Sequence, residues 1–232
     1  MCGRVTLTTS PARIGEVFRE FNLPLDLELS ARFNVAPQQA LLVVPNDGQR
    51  TARRMTWGLV PSWAKDAKGY QINARAETAA EKPFFRTAFR RRRCVVVADG
   101  FYEWAPGEGK GPKTPWYFRL RGGEPFAIAG LWDVWRSPDG EERPGVALLT
   151  TEANGVVAPV HGRMPVILPR EAFGAWLSTG EADASSLLSL LRPAPEAMMC
   201  AWPVSRLVNA PKNDGPELVA PVDLDVTAKP AA

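Results

Sequence analysis

Glycine and proline interrupt this chain so often that it is expected to fold from short elements joined by turns. The sequence has 19 Gly and 22 Pro in 232 residues, and these separate short apolar runs instead of gathering in one linker. Short runs of this kind, continuous or alternating with polar residues, are typical of β-strands. Strands are therefore predicted at residues 40–45, 94–98, 115–120, 126–131, 145–150 and 165–168.

Short helices are predicted between these strands. Ser10 and Pro11 form the expected N-cap and first position of one helix. Its apolar residues at helical spacing are Ile14, Val17, Phe18 and Phe21. Further brief helices are expected at residues 75–80, 169–177 and 183–191.

The irregular order of strands and helices favours an α+β fold with a curled, mostly antiparallel sheet at its centre. A hydrophobic content of 45% is sufficient for a proper core, so one compact domain is expected over residues 1–222. Residues 223–232 have no apolar periodicity and are predicted to form a flexible tail.

The distribution of charge is more informative than its sum. A net charge of +3 is too small to indicate a polyanionic partner. Arginines concentrate between residues 75 and 93, however, which predicts a local basic surface. A charged stretch that is simply exposed to solvent is an equally weighted alternative. These arginines are Arg75, Arg86, Arg90, Arg91, Arg92 and Arg93.

The three cysteines fit a reducing compartment. Cys2, Cys94 and Cys200 cannot all pair, and no spacing of Cys and His is typical of zinc. Cys94 and Cys200 lie in apolar strand-like runs and are expected to be buried and inert. Because the sequence also lacks a bilayer-length apolar run and a secretory signal pattern, a cytoplasmic location is predicted, with no membrane partner.

The N-terminus offers a distinctive nucleophile. Methionine before a small residue such as Cys2 is normally removed, which would leave an α-amine and a thiol on one residue. An α-amine has a reference pKa of about 7.7–8.0, so its neutral form at neutral pH is roughly two orders of magnitude more abundant than that of lysine. The amine can condense with an aldehyde, and the thiol can then close a thiazolidine ring on the same carbon. A cysteine at position 2 without a chemical role is the alternative.

Two other side chains suit proton transfer. His161 is the one histidine in the chain, and it lies in a loop bounded by Pro159 and Pro165. Glu103 follows an apolar strand and lies among aromatic residues, where partial burial would raise its pKa. Each has a structural alternative, a loop histidine and a carboxylate at a strand end.

The segment from Asn73 to Glu77 alternates an amide, a guanidinium (Arg75) and a carboxylate, which share a face if it is extended and diverge if it is helical. Aromatic residues flank this basic region and could stack on unpaired bases, although core packing is the commoner role. They are Trp57, Trp63, Phe84 and Phe85.

Taken together, seven motifs along the chain resemble those of the SOS response-associated peptidase family, whose members act as abasic-site crosslinking proteins. They are MCGR at residues 1–4, RFNVAP at 32–37, WGLVPSW at 57–63, INARAET at 72–78, ADGFYEW at 98–104, HGRMPVIL at 161–168, and PVSRLVN with PKN nearby. The resemblance extends from residue 1 to about residue 222 and implies a barrel-like sheet with a positively charged cleft.

The resemblance also implies roles for individual residues. Cys2 would crosslink to the ring-opened abasic deoxyribose, and Asn73 would orient the sugar. Glu103 would act as an acid/base carboxylate, and His161 would donate the proton that opens the ring. The expected DNA-binding residues are Arg4, Arg75 and Arg163 at phosphates and Pro37 and Trp63 in loops that shape the strand. Relatives often carry two adjacent tryptophans in the loop that contains Trp63, whereas here Ser62 precedes Trp63.

The expected function is covalent capture of abasic sites in single-stranded DNA, through a Schiff base and then a thiazolidine that shields the strand from cleavage. No metal or organic cofactor is expected, because the lesion supplies the electrophile. A monomer is expected, and contact with the replication machinery is left open. The alternatives are an N-terminal-nucleophile cysteine peptidase or amidohydrolase, and a non-covalent single-strand binder.

Overall fold

The computed structural model describes residues 2–24, 29–107, 109 and 111–223. The strands in this part of the chain are β1 (Val5–Leu7), β2 (Arg32–Val35), β3 (Ala40–Pro45), β4 (Arg53–Trp57), β5 (Asn73–Arg75), β6 (Arg93–Ala98), β7 (Gly100–Ala105), β8 (Thr114–Leu120), β9 (Phe126–Arg136), β10 (Glu142–Glu152), β11 (Arg163–Pro165), β12 (Ile167–Leu168) and β13 (Met199–Pro203). The α-helices are α1 (Pro11–Val17), α2 (Ala76–Ala79), α3 (Arg86–Arg91), α4 (Phe173–Trp176) and α5 (Ala184–Ser189). Short 3-10 turns occur at Arg170–Ala172, Glu196–Met198, Arg206–Asn209 and Pro216–Val219.

Five strands close into a barrel. The two longest strands, β9 and β10, form an antiparallel hairpin, and β9 continues through β6 and β3 to β4. The ring closes because β4 runs parallel to β10, with Thr56 opposite Gly145 and Trp57 opposite Val146. Strands β5, β11 and β12 extend this sheet beyond the ring.

A second, antiparallel sheet has the order β13-β8-β7-β1-β2. It is joined to the barrel at Asp99, the single residue between β6 and β7. The buried carboxylate of Asp99 accepts hydrogen bonds from the hydroxyls of Thr6, Thr8 and Thr9 and from the amides of the latter two. These bonds hold β1 and the residues that follow it to the junction between the two sheets.

Alternate residues of the barrel strands enter two different cores. Val95 and Val97 of β6 belong to a cluster that includes residues of the helices, whereas Cys94 and Val96 pack with residues from all five barrel strands. The second cluster is the barrel interior, because the inward Met55 of β4 is buried while its neighbours Arg54 and Thr56 are exposed. The second sheet adds Val5 and Phe101 to this interior cluster.

The predicted α+β fold in one domain, with a curled, mostly antiparallel sheet and short helices, is confirmed. The six predicted strands are all present. The sequence did not predict the strands β1, β2, β4, β5, β7 and β13, and it predicted only the last residue of β11. The predicted helix at residues 75–80 is wrong at its start, since Arg75 ends β5 and α2 begins at Ala76. The expected tail at residues 223–232 lies outside the described residues except for Asp223.

The arginine-rich stretch forms a less extensive basic surface than its sequence predicts. Arg93 is fully buried, and its guanidinium donates to the carbonyls of Trp176, Phe89, Arg90 and Ser178. Arg92 pairs with Asp133, and both Arg90 and Arg91 lie beside Glu181. Of these four consecutive arginines one is enclosed, and the two carboxylates of Asp133 and Glu181 offset part of the charge of the other three.

We predict that Gly145→Ala destabilises the protein by about 1–3 kcal/mol, because an added Cβ would overlap the backbone oxygen of Gly58 where β4 and β10 close the barrel. Urea unfolding measures this change. Gly174→Ala is the matched control, since a Cβ there meets no atom within 4 Å and lies in helix α4. Equal stability of both variants would contradict the close approach at Gly145.

Candidate active site

Cys2 lies where the two sheets meet. The residues before β1 continue its line along β7, with the Tyr102 amide donating to the Arg4 carbonyl at 3.0 Å. The Cys2 side chain is fully buried in the cluster that fills the barrel interior. Since the sequence carries Met1 ahead of it, the α-amine of the unprocessed chain belongs to residue 1.

Asn73 fixes the backbone of Cys2. Its side-chain amide donates to the Cys2 carbonyl at 2.7 Å, across 71 residues of sequence. Asn73 begins β5 and is placed by the parallel pairing of β5 with β10, in which it lies opposite Leu148. Its side-chain oxygen is buried and has no hydrogen-bond partner within the described residues, so an acceptor remains for a bound group.

Glu103 and His161 form the other side of the site. Glu103, in β7, is 3% exposed, and one of its carboxylate oxygens lies 3.9 Å from His161 Nδ1. The Arg163 amide donates to the same Nδ1 at 3.0 Å. The Arg163 carbonyl lies 3.2 Å from the same Nδ1, so this nitrogen accepts from the amide in one tautomer of the neutral imidazole and donates to the carbonyl in the other.

Burial sets the protonation of the site. It raises the pKa of the Cys2 thiol well above its usual range, and the nearby carboxylate of Glu103 raises it further. Burial also raises the pKa of Glu103, and the positive charge of a protonated His161 partly opposes this increase. The site therefore favours a protonated thiol and a carboxyl group that can hold a proton at a higher pH than an exposed glutamate.

The three predicted phosphate-binding arginines differ in exposure. Arg75 ends β5 and is exposed. Arg163 is partly buried and forms a bidentate ion pair with Glu77, with both nitrogen–oxygen distances at 2.8 Å. Arg4 is 8% exposed and its guanidinium bonds to Asn34 and Val208, while its contact with a phosphate stays a prediction.

Arg4 holds the C-terminal segment of the fold against β2. One nitrogen of its guanidinium donates to Asn34 Oδ1 and to the Val208 carbonyl, both at 2.5 Å. Asn34 in turn donates to the carbonyls of Val208, Ala210 and Asn213. Sequence reasoning gave Asn34 no role, although it lies within the RFNVAP motif and a buried amide in a motif is a signal of such a clamp.

The two predicted loop residues lie on separate loops. Trp63 is 62% exposed, and its ring contacts that of Phe84 edge-on with a centroid distance of 6.4 Å. The adjacent Ser62 amide donates to Asp133 at 2.9 Å, which anchors this loop to β9. Pro37 follows β2 and is partly buried. Trp57, by contrast, is buried inside the barrel and is a core residue.

The described residues contain no cluster of three or more His, Cys, Asp or Glu side chains arranged to hold a metal ion. The three cysteines are free thiols. Cys94 is buried as predicted, whereas Cys200 is only partly buried in β13.

Among the helices of the described part of the chain, none has the length and apolar character needed to cross a membrane.

The fold and site define a class of small barrel proteins in which an asparagine holds the backbone of a cysteine at position 2, and a buried glutamate that acts electrostatically on its thiol lies near a histidine. The sequence comparisons identify the class by name. The chain belongs to the SOS response associated peptidase (SRAP) family, whose profile matches residues 1–211.

Its relatives include proteins named for abasic sites. The chain is 42% identical to the abasic site processing protein YoqW of Bacillus subtilis, over 94% of this chain and 99% of that protein. It is 33% identical to the abasic site processing protein HMCES of Rattus norvegicus, over 77% of this chain and 59% of that protein.

Solved structures share the fold. A crystal structure of a Bacteroides thetaiotaomicron protein matches with a TM-score of 0.83 at 24% identity, covering 95% of this chain and all of that one. A Bordetella bronchiseptica protein matches with a TM-score of 0.75 at 28% identity, covering 88% of this chain and all of that one.

We predict that Glu103→Gln becomes more stable relative to the unsubstituted protein as pH rises from about 4 to 8. An unfolded glutamate has a pKa near 4.3, and the folded pKa of Glu103 is raised, so above pH 4 the folded state retains the proton longer. The unsubstituted protein therefore loses stability as pH rises through this range, and glutamine does not. Melting temperatures across the range measure the difference.

The exposed residue Glu171 provides the control, since Glu171→Gln should shift the melting temperature by a similar amount at every pH. If the melting temperature of Glu103→Gln minus that of the unsubstituted protein stays constant or falls as pH rises, burial does not hold the proton on Glu103.

Proposed function

We propose that this protein captures abasic sites in single-stranded DNA by forming a thiazolidine crosslink between mature Cys2 and the ring-opened deoxyribose. The observation that carries the proposal is the position of Cys2, directly after the initiator methionine, with its carbonyl held by Asn73 and its thiol under the electrostatic influence of Glu103. The names of the relatives, which describe abasic site processing, support the same substrate.

The amine of Cys2 reacts first. After removal of Met1, its α-amine has a reference pKa of about 7.7–8.0, whereas burial keeps the thiol protonated. His161 donates a proton to the ring oxygen as the sugar opens to its aldehyde. The amine then adds to C1′, and loss of one water molecule leaves an iminium, with Glu103 as the acid/base that supplies and accepts the protons.

The thiol then closes the ring. Its sulfur adds to C1′, the electrons of the carbon–nitrogen double bond return to nitrogen, and Glu103 takes the thiol proton. The product is a neutral thiazolidine, and the whole condensation releases one water. An iminium withdraws electrons and promotes β-elimination of the 3′ phosphate, so ring closure protects the strand. The lesion supplies the electrophile, and the proposal requires no cofactor.

Single-stranded DNA suits this site because the lesion sugar must be splayed out, and duplex stacking opposes that. The exposed Arg75 and the guanidinium of Arg163 provide charge for phosphates, and the exposed Trp63 offers a ring on which a base can stack.

The same N-terminal amine and thiol would also serve a peptidase, which is the function named in the family description. Mass spectrometry after incubation with abasic DNA or with peptides separates the two activities.

Processing of the N-terminus gives the first test. We predict that active protein lacks Met1, and that one glycine inserted between Met1 and Cys2 abolishes crosslinking, because the amine and thiol no longer share a residue. Intact mass and denaturing gels after incubation with an abasic strand provide the measurements, and circular dichroism confirms the fold. Crosslinking by protein that retains Met1 would refute the thiazolidine mechanism.

The second test separates the amine from the sulfur. Cys2→Ala retains the α-amine, so borohydride should trap a Schiff-base adduct, but no crosslink should form without borohydride. Strand cleavage should persist or increase, since the iminium survives long enough for β-elimination. The control Cys200→Ala removes a partly buried thiol of β13 and should crosslink normally. A stable crosslink from Cys2→Ala would assign the chemistry to another nucleophile, such as a lysine.

A further inference from the structure

Glu77 forms an ion pair with Arg163, the arginine closest in sequence to His161. Its two carboxylate oxygens each accept a hydrogen bond from the terminal nitrogens of Arg163 at 2.8 Å. This is the bidentate geometry in which arginine also binds a phosphate, so the carboxylate fills the positions that two phosphate oxygens would take.

Two positive charges act on the carboxylate of Glu77. Hydrogen bonds from Arg163 lower the pKa of Glu77, and the charge of Arg75 lowers it further, so the carboxylate is ionised at neutral pH. The combined charge of Arg75, Glu77 and Arg163 is then +1. The carboxylate therefore offsets part of the positive charge that Arg75 and Arg163 offer to a phosphate.

The carboxylate of Glu77 can move away from Arg163 while the guanidinium keeps another hydrogen bond. Its side chain is 50% exposed and stands in the first turn of the four-residue helix α2, whereas the Arg163 side chain is 20% exposed. A further hydrogen bond from Arg163 to the Thr150 carbonyl, at 2.5 Å, ties the guanidinium to β10 independently of Glu77. The guanidinium is therefore held in place by the barrel while its outer donors exchange partners.

We propose that Glu77 is an internal phosphate mimic that exchanges with a backbone phosphate at Arg163 and so keeps the affinity for undamaged strands low. The inference rests on the proposed function and deepens it. Weak binding lets the protein leave intact DNA, so that retention on a strand depends on covalent capture at Cys2. A phosphate that displaces Glu77 must break the ion pair at Arg163, and added salt favours breaking that pair, so the exchange offsets the salt dependence that a new phosphate contact would contribute.

The test is the binding of a fluorescent, intact oligothymidine to full-length protein at several salt concentrations. Glu77→Gln should bind about 3- to 10-fold more tightly at low salt, and the difference should narrow as salt screens it. Its log–log salt slope should become more negative by about 0.7, the value for one additional phosphate on a single strand. Unchanged affinity and slope would overturn the proposal.

Glu152→Gln is the matched control. Glu152 is exposed and lies opposite Arg163 in the pairing of β10 with β11, so its removal makes the same change in net charge near the site. An equal gain in affinity and slope from this control would overturn the exchange in favour of a general charge effect. In an Arg163→Gln background, Glu77→Gln should no longer change the slope, and a persisting change would also overturn the proposal.

A Glu77→Gln protein that fails to fold, as judged by circular dichroism, is replaced by Glu77→Ala, for which the same results are expected. Crosslinking to an abasic strand by the unsubstituted protein is measured separately. Failure of that reaction would contradict the proposed function, whereas failure of the slope to change on an intact strand would contradict the role of Glu77 alone.

Discussion

The pairing of strand β10 with neighbours on both sides is the constraint on which the rest of the structure depends. Its first half pairs with β9 and with β4, which closes the barrel. Its second half pairs with β5 and β11, which carry Asn73 and Arg163. One continuous strand thus links the closure of the core to the placement of the site, and a shift of its register by one residue would turn these side chains to the opposite face.

Burial gives the site its chemical character. The Cys2 thiol and the Glu103 carboxyl lie between two sheets, where the charged form of either group loses the stabilisation of water. The histidine is held from its own loop by the Arg163 amide, so one short segment both orients the imidazole and presents a guanidinium. In the proposed mechanism these conditions favour attack by an amine before the sulfur, and that order yields a closed ring.

The arginines of this protein have different structural roles. Arg93 and Arg4 are enclosed and donate to backbone carbonyls, which ties distant segments together. Arg163 shares its donors between Glu77 and Thr150 at the edge of the site. Burial of a guanidinium is tolerated when its donors are satisfied, so an arginine run in a sequence does not by itself indicate a nucleic-acid surface.

The sequence by itself determined the α+β class, six of the strands and the presence of an amine and a thiol at Cys2, because turn residues, apolar periodicity and the position behind Met1 are local properties. It also supplied the motifs that resemble one family. Only the tertiary structure decided that Asn73 bonds to Cys2 across 71 residues, that Glu103 lies 3.9 Å from His161, and that Arg4 faces inward. These facts depend on which strands pair and in what register, and the strands concerned, such as β1, β5 and β7, are too short or too weakly patterned to be recognised before their partners are known.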